Sequence, residues 1–195
     1  MKRILIVGSA GAGKSTLART LGVLLNLPVI HLDAMYWNAG WIETPKSEWP
    51  AKVAAILGNE SWIIDGNYSS TLEARLAAAD AAIFLDFQRL RCLVRALRRW
   101  IAFQGTTRPD MPLGYPEKID WEFLKWIWDY PARTRPMMLQ TLEKFADRKR
   151  VFILRDPGTL ERFLRAVKKN QFRLGKENRK TEQLSAGLAS GIITF

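Results

Sequence analysis

The chain has 195 residues, a formal charge of +11, 48% hydrophobic and 11% aromatic residues, and a single cysteine. That length suits one α/β domain with a small insertion and is too short for two full domains, and the hydrophobic share excludes an intrinsically disordered chain. With Cys92 alone there is no intramolecular disulfide and no cysteine-rich metal cluster, so a reducing, cytoplasmic setting is expected; Gly8 ends the first apolar run too early for a signal peptide, and no later run is apolar for long enough to span a bilayer.

Residues 3–7 are β-branched and leucine-rich and stop at glycine, the pattern of a buried parallel strand. Leu17, Leu21, Leu24 and Leu25 then recur at helical spacing, which predicts a helix from Lys14 to about Asn26. Residues 29–32 read as a second strand, with His31, the only histidine, as a packed strand residue. Residues 33–50 carry glycine, proline and Trp37, Trp41 and Trp49 without a period and read as a loop, with a helix from about Ser47 to Leu57. A third strand at 62–64 closes on Asp65-Gly66. A short helix, 71–79, and a fourth strand, 82–85, lead into a helix over 90–103. One face of that helix carries Leu90, Leu93, Val94, Leu97 and Ile101, another Arg91, Arg95, Arg98 and Arg99. Residues 104–118, rich in Gly, Pro and Thr, are expected to be mobile. Two helices, 121–129 and 136–145, precede a fifth strand at 151–154 and a closing helix marked by Leu160, Phe163, Leu164 and Val167. From Gln171 onward periodicity fades, and residues 171–195 are expected to form a frayed basic tail. Strands alternating with helices predict a parallel sheet covered on both faces.

The positive charge is clustered. Arg89, Arg91, Arg95, Arg98 and Arg99 form a block without an acid, and Lys168 to Lys180 sets six basic residues against Glu177. The first block suits polyanionic phosphate; the second either touches nucleic acid or is simply solvated.

Gly8-Ser9-Ala10-Gly11-Ala12-Gly13-Lys14-Ser15 matches G-x-x-x-x-G-K-[ST] between a predicted strand and a predicted helix. Glycines let successive backbone N–H groups turn toward phosphate oxygens, and the helix start adds its positive dipole end. Gly8 to Thr16 are therefore the expected ATP-phosphate cradle, with Lys14 on the β- and γ-phosphates and Ser15 on magnesium. Asp33 and Asp65 both end predicted strands, the edge where open α/β sheets place their sites. Asp65 is a candidate to hold magnesium through a water, and Asp33 to take the acceptor's proton or position the acceptor. Capping of the next element is the competing reading for both, and it is the one adopted for Asp86 before the arginine helix.

Beyond the phosphate loop, Val29 to Asp33 with Trp37, Gly40 and Trp41, then Trp62 to Tyr68, Arg108 to Met111 and Trp121 to Trp128 form a set of motifs. With these the chain resembles the adenylate-kinase-like P-loop proteins known as DNA topology modulation proteins, over most of residues 1–165. The resemblance implies a nucleoside-monophosphate-kinase-like fold: a five-stranded parallel sheet in the order 2-3-1-4-5, an acceptor-binding insertion at about 33–58 and a helical lid at about 100–135, within one domain over 1–170. It also implies that Arg95 packs on adenine and Arg99 touches the transferring phosphate. Arg155, in the turn after the fifth strand, is implied at the adenine, and Arg133 and Arg135 resemble the arginines that follow the lid. The acceptor segment departs from adenylate kinase, because it presents Tyr36, Trp37, Trp41 and Trp49 in place of AMP-binding arginines. The tryptophans of 121–128 are expected as core beneath the lid. The function expected is transfer of the ATP γ-phosphate to a small acceptor, with nucleosides and nucleotides among the candidates, catalysed by Lys14, Asp33, Arg95 and Arg99 with magnesium. The alternatives are a nucleotide-dependent DNA-associated regulator and a slow ATPase switch.

Overall fold

The computed structural model describes residues 1–38, 40–107, 110–111, 119–169 and 192–194. Its centre is β1 (Arg3–Gly8), flanked by β5 (Trp62–Asp65) on one side and β6 (Ala81–Leu85) on the other. Outside β5 lies β2 (Val29–His31), and beyond β6 come β7 (Arg150–Leu154) and β8 (Ile192–Thr194). Every pairing in this six-stranded sheet is parallel. The five expected strands stand in the expected order, and β8 adds a sixth at the edge. The register matters for function: Ile6 pairs with Asp65, His31 with Asp65, and Gly8 with Leu85. The carboxyl ends of β1, β2, β5 and β6 therefore finish together along one edge.

Alternation along β1 builds the two layers. Ile4 and Ile6 point into one core with Leu17 and Leu21 of α1 (Lys14–Leu25), Cys92 and Ala96 of α5 (Arg89–Ala102) and Phe163 of α7 (Pro157–Lys168). Leu5 and Val7 point the other way, toward Trp49 and Val53 of α3 (Trp49–Leu57) and Leu72 and Leu76 of α4 (Leu72–Ala78). Each fully buried strand residue of this kind contributes about 1.5–3 kcal/mol. The long helix α6 (Trp121–Ala146) joins both layers, with Ile127 in the first and Met138 and Leu142 in the second.

Several expectations change. Helix α6 replaces two separate helices, with Pro131 and Pro136 inside it. Each proline removes an N–H and costs about 3 kcal/mol in a helix interior, but Ile127, Tyr130, Met138 and Leu142 are buried on the same helix and offset the loss. The segment expected as a loop contains a short helix, α2 (Leu32–Tyr36), and a hairpin of β3 (Trp37–Asn38) and β4 (Ile42–Glu43). Both are too short to impose a period. On α5 the two faces exist, but most of the apolar one is turned to solvent: Leu90 is 61% and Ile101 65% exposed, while Leu93 packs on the core beside the buried Cys92 and Ala96. The tryptophans of α6 are not core either, since Trp121 is 76% and Trp128 45% exposed, with the Arg89 guanidinium 4.0 Å above the Trp128 ring. Ile192 to Thr194 pair with Val151 to Ile153, so that part of the expected tail is strand. The remaining basic tail, most of the segment expected to be mobile, and Arg108 and Pro109 lie outside the described residues. Among the described residues, no helix is long and apolar enough to cross a membrane.

Candidate active site

The loop between β1 and α1 turns at positive φ at Gly11 (74°) and Gly13 (99°), a region side chains rarely adopt. At Gly11 the need is also one of space, because a Cβ there would stand 2.1 Å from the Cys92 carbonyl oxygen of α5. The loop is thus packed directly on the arginine helix. Lys14 Nζ folds back to donate to the Ser9 carbonyl at 3.0 Å. Burial lowers the Lys14 pKa; the charges of Asp33 and Asp65 oppose this, and nearby Arg99 adds to it. Arg95 reaches over the loop from α5 and donates to the Ala12 carbonyl at 3.4 Å. Its own pKa is lowered by burial and then by Arg91.

The loop is held from below by the turn after β5. Asn67 Oδ1 accepts from the Gly8 N–H at 3.0 Å. That turn is in turn stapled by Arg75 of α4, a fully buried guanidinium. Arg75 Nη1 donates to the Gly66 carbonyl at 2.8 Å, Nη2 to the carbonyls of Asn67 and Tyr68, and Nε to Thr71. Burial pushes its pKa down to about 9. Tyr68, at φ 33°, donates its hydroxyl to Asp33 Oδ1 at 2.8 Å. Burial first, and then the Asp33 carboxylate, drive the Tyr68 pKa far upward, so the phenol stays a donor.

Asp65 is 4% exposed and accepts from His31 Nδ1 at 2.6 Å. Burial pulls the His31 pKa down, but the hydrogen bond and charge of Asp65, with Asp110 behind them, outweigh it and raise the value above 6.5. A raised folded-state pKa contributes stability that is complete below the unfolded value and lost as pH climbs through the folded one. In metal-free buffer the melting temperature is therefore expected to fall as pH rises above about 6.5, and His31→Asn to flatten that slope. Melts across a pH series check this; an unchanged slope in the variant would remove His31 from the account.

Lys14, Arg95, Asn67, Tyr68 and Asp33 of this set open onto a cavity of about 840 Å³. Ala10, Gly11, Gly13, Lys14, Ser15 and Thr16 line one part of it, with Arg95 and Arg99 above them. Asp33, Tyr68, Trp37, Trp41 and Glu43 line another, and Phe123 and Trp126 of α6 a third. Gly8, Ser9 and Ala12 do not line the cavity. Ser9 and Ala12 are buried in the underside of the loop. Asp65 and its partner His31 do not line the cavity.

Arg155 and Asp86 depart from expectation together. The N-cap of α5 is Gln88, and Asp86 does not cap it. Asp86 instead accepts a two-pronged bond from Arg135, Nε to Oδ1 at 2.6 Å and Nη2 to Oδ2 at 2.8 Å, with Arg155 Nε 3.9 Å away. Arg155 is thus drawn to Asp86 and does not line the cavity. Arg133 is exposed beside Asp129 of its own helix. The residues that sequence reading passed over are Arg75, Asn67 as a loop support, and Arg19, which lines the cavity and lies 3.8 Å from Asp110. Asn67 stands in the Trp62 to Tyr68 motif, which by itself assigns it no role, and Arg75 reads as an ordinary helix-surface arginine.

No protein-family profile matches the chain, and no curated protein matches it in sequence. Solved structures do. A gluconokinase from Sinorhizobium meliloti superposes with a TM-score of 0.50 at 17% identity, covering 89% of this chain and 93% of that one. A shikimate kinase from Bacteroides thetaiotaomicron gives 0.47 at 19% identity over 87% and 98%. A sugar kinase from Janibacter sp. gives 0.45 at 15% over 88% and 92%. At these identities the likeness is one of architecture, and with its phosphate loop between β1 and α1 the chain has the α/β fold of P-loop kinases.

Proposed function

We propose that the protein is a magnesium- and ATP-dependent kinase that phosphorylates a hydroxyl group of a small molecule. The observation that carries this reading is that Lys14 of the phosphate loop and Asp33 of α2 line one and the same cavity. The loop N–H groups and Lys14 hold the β- and γ-phosphates, while Arg99 meets the transferring phosphate from the α5 side. Arg95 is the candidate for the adenine face. Asp33, oriented by the Tyr68 hydroxyl, takes the proton of the acceptor hydroxyl as its oxygen bonds to the γ-phosphorus. The bond from that phosphorus to the β–γ bridging oxygen breaks, and ADP leaves. Ser15 lines the cavity, where its hydroxyl would ligate a magnesium ion held otherwise by phosphates and waters, and Asp65, bonded to His31 outside the lining, would reach the ion only through a water. When bound, the ion neutralises phosphate charge. The resemblance to DNA topology modulation proteins stands on the motifs alone.

The test is ATP turnover with magnesium, without acceptor and with a panel of small hydroxylated compounds. ADP and a phosphorylated product in equal amounts support the proposal; hydrolysis that no acceptor stimulates supports the switch. Asp33→Asn is expected to lower transfer by about 10²–10³-fold with ATP affinity within about twofold. An equal loss of both would make Asp33 a structural residue.

A further inference from the structure

Among the described residues the cavity is lined by four acids and four bases, and they are not mixed evenly. Three of the bases belong to the phosphate end. Lys14 and Arg95 bond to loop carbonyls, and Arg99 is close enough to Lys14 to lower its pKa. The fourth, Arg19, lies 3.8 Å from Asp110. The part of the cavity built by α2 and the hairpin is different. It presents the rings of Trp37, Trp41 and Tyr68 and the carboxylates of Asp33 and Glu43. Trp37 and Trp41 stand edge to face at 5.6 Å, and Tyr36 anchors both Trp37, at 5.3 Å, and Glu43, by a 2.9 Å hydrogen bond. Ring faces and carboxylates both repel an anion and both attract a cation.

From this arrangement we infer that the phosphoryl acceptor carries a positively charged amine beside its reactive hydroxyl, held by the Trp37–Trp41 rings and Glu43. Nucleoside monophosphates and sugar acids are the wrong charge for this end. The inference rests on the kinase reading, since it concerns the acceptor half of the same site. The opposite ends then have opposite signs: cations meet the triphosphate, and carboxylates meet the amine. Glu43 is the specificity-determining residue, because Asp33 serves the hydroxyl.

The test is calorimetric titration of the full chain, first with a non-hydrolysable ATP analogue and magnesium, then with three probes of one skeleton. Tyramine is cationic, tyrosol neutral and 4-hydroxyphenylacetate anionic. Tyramine is expected to bind about tenfold more tightly than tyrosol, with 4-hydroxyphenylacetate weakest. Glu43→Gln, which keeps an acceptor for the Tyr36 hydroxyl, should cut the tyramine advantage to about threefold or less, as should high salt in the parent protein. Equal or tighter binding of 4-hydroxyphenylacetate, or no binding of any probe, overturns the inference while leaving the kinase reading in place if the ATP analogue binds. Failure of the analogue itself to bind removes both.

Discussion

Lys14→Ala is expected to reduce phosphoryl transfer by about 10³-fold while leaving the fold intact. The ammonium is the one side-chain charge that the loop itself supplies, and in a partly desolvated site its interaction with the transferring phosphate is stronger than it would be in water. Its hydrogen bond in the fold is to the Ser9 carbonyl, within the loop. Alanine therefore removes little that holds helix to sheet, because the packing of α1 rests on Leu17, Ala18 and Leu21. Steady-state turnover and a thermal melt separate the two effects. A melting shift beyond about 4 °C would show that the lysine supports the fold, and turnover within tenfold of the parent would move the chemistry to another site.

The largest loss of stability is expected at Arg75→Ala, about 4 kcal/mol by urea denaturation. The guanidinium is fully buried, and its donors serve the carbonyls of Gly66, Asn67, Tyr68 and Thr71. Alanine leaves those acceptors without their donor, buried at Gly66 and Thr71 and half-buried at Asn67 and Tyr68, and opens a void the size of a long side chain. Arg75→Lys should lose less, since one ammonium keeps some of the bonds but cannot span the fork. A loss below about 1 kcal/mol for alanine would mean that the turn after β5 holds its own shape.

What the sequence made legible follows from how local each requirement is. The phosphate loop was legible because the backbone conformations at Gly11 and Gly13 belong to glycine and the strand and helix on either side carry their own periods. Asp65 ends β5 as its strand predicts, whereas Asp33 falls two residues past the end of β2, in the first turn of α2. Other features answer to partners distant in the chain. The helices expected over 121–129 and 136–145 are one in the structure because the buried residues that keep α6 continuous across Pro131 and Pro136 act through tertiary packing. Leu90, Val94, Leu97 and Ile101 share a helical face, yet the opposite, smaller face with Cys92 and Ala96 is the one that fits against the loop, where Gly11 leaves no space for bulk. His31 alternates like a packed strand residue, and its bond to Asp65 depends on the pairing of β2 with β5. Arg155 carried no sign of its attraction to Asp86, which depends on β6 and β7 lying side by side.

The Arg75 staple has a consequence for the proposed reaction that concerns entropy. Through Asn67 the stapled turn holds Gly8, and through Tyr68 it holds Asp33, so the donor's cradle and the acceptor's base hang from one buried guanidinium. Two reactants fixed to a common rigid mount meet at an effective concentration set by the stiffness of the mount, and well-oriented pairs reach about 10⁵ M or more. Much of the alignment is then established when the protein folds, before either substrate arrives. Loosening the mount would lower turnover at saturating substrate even with every group that touches the substrates still present.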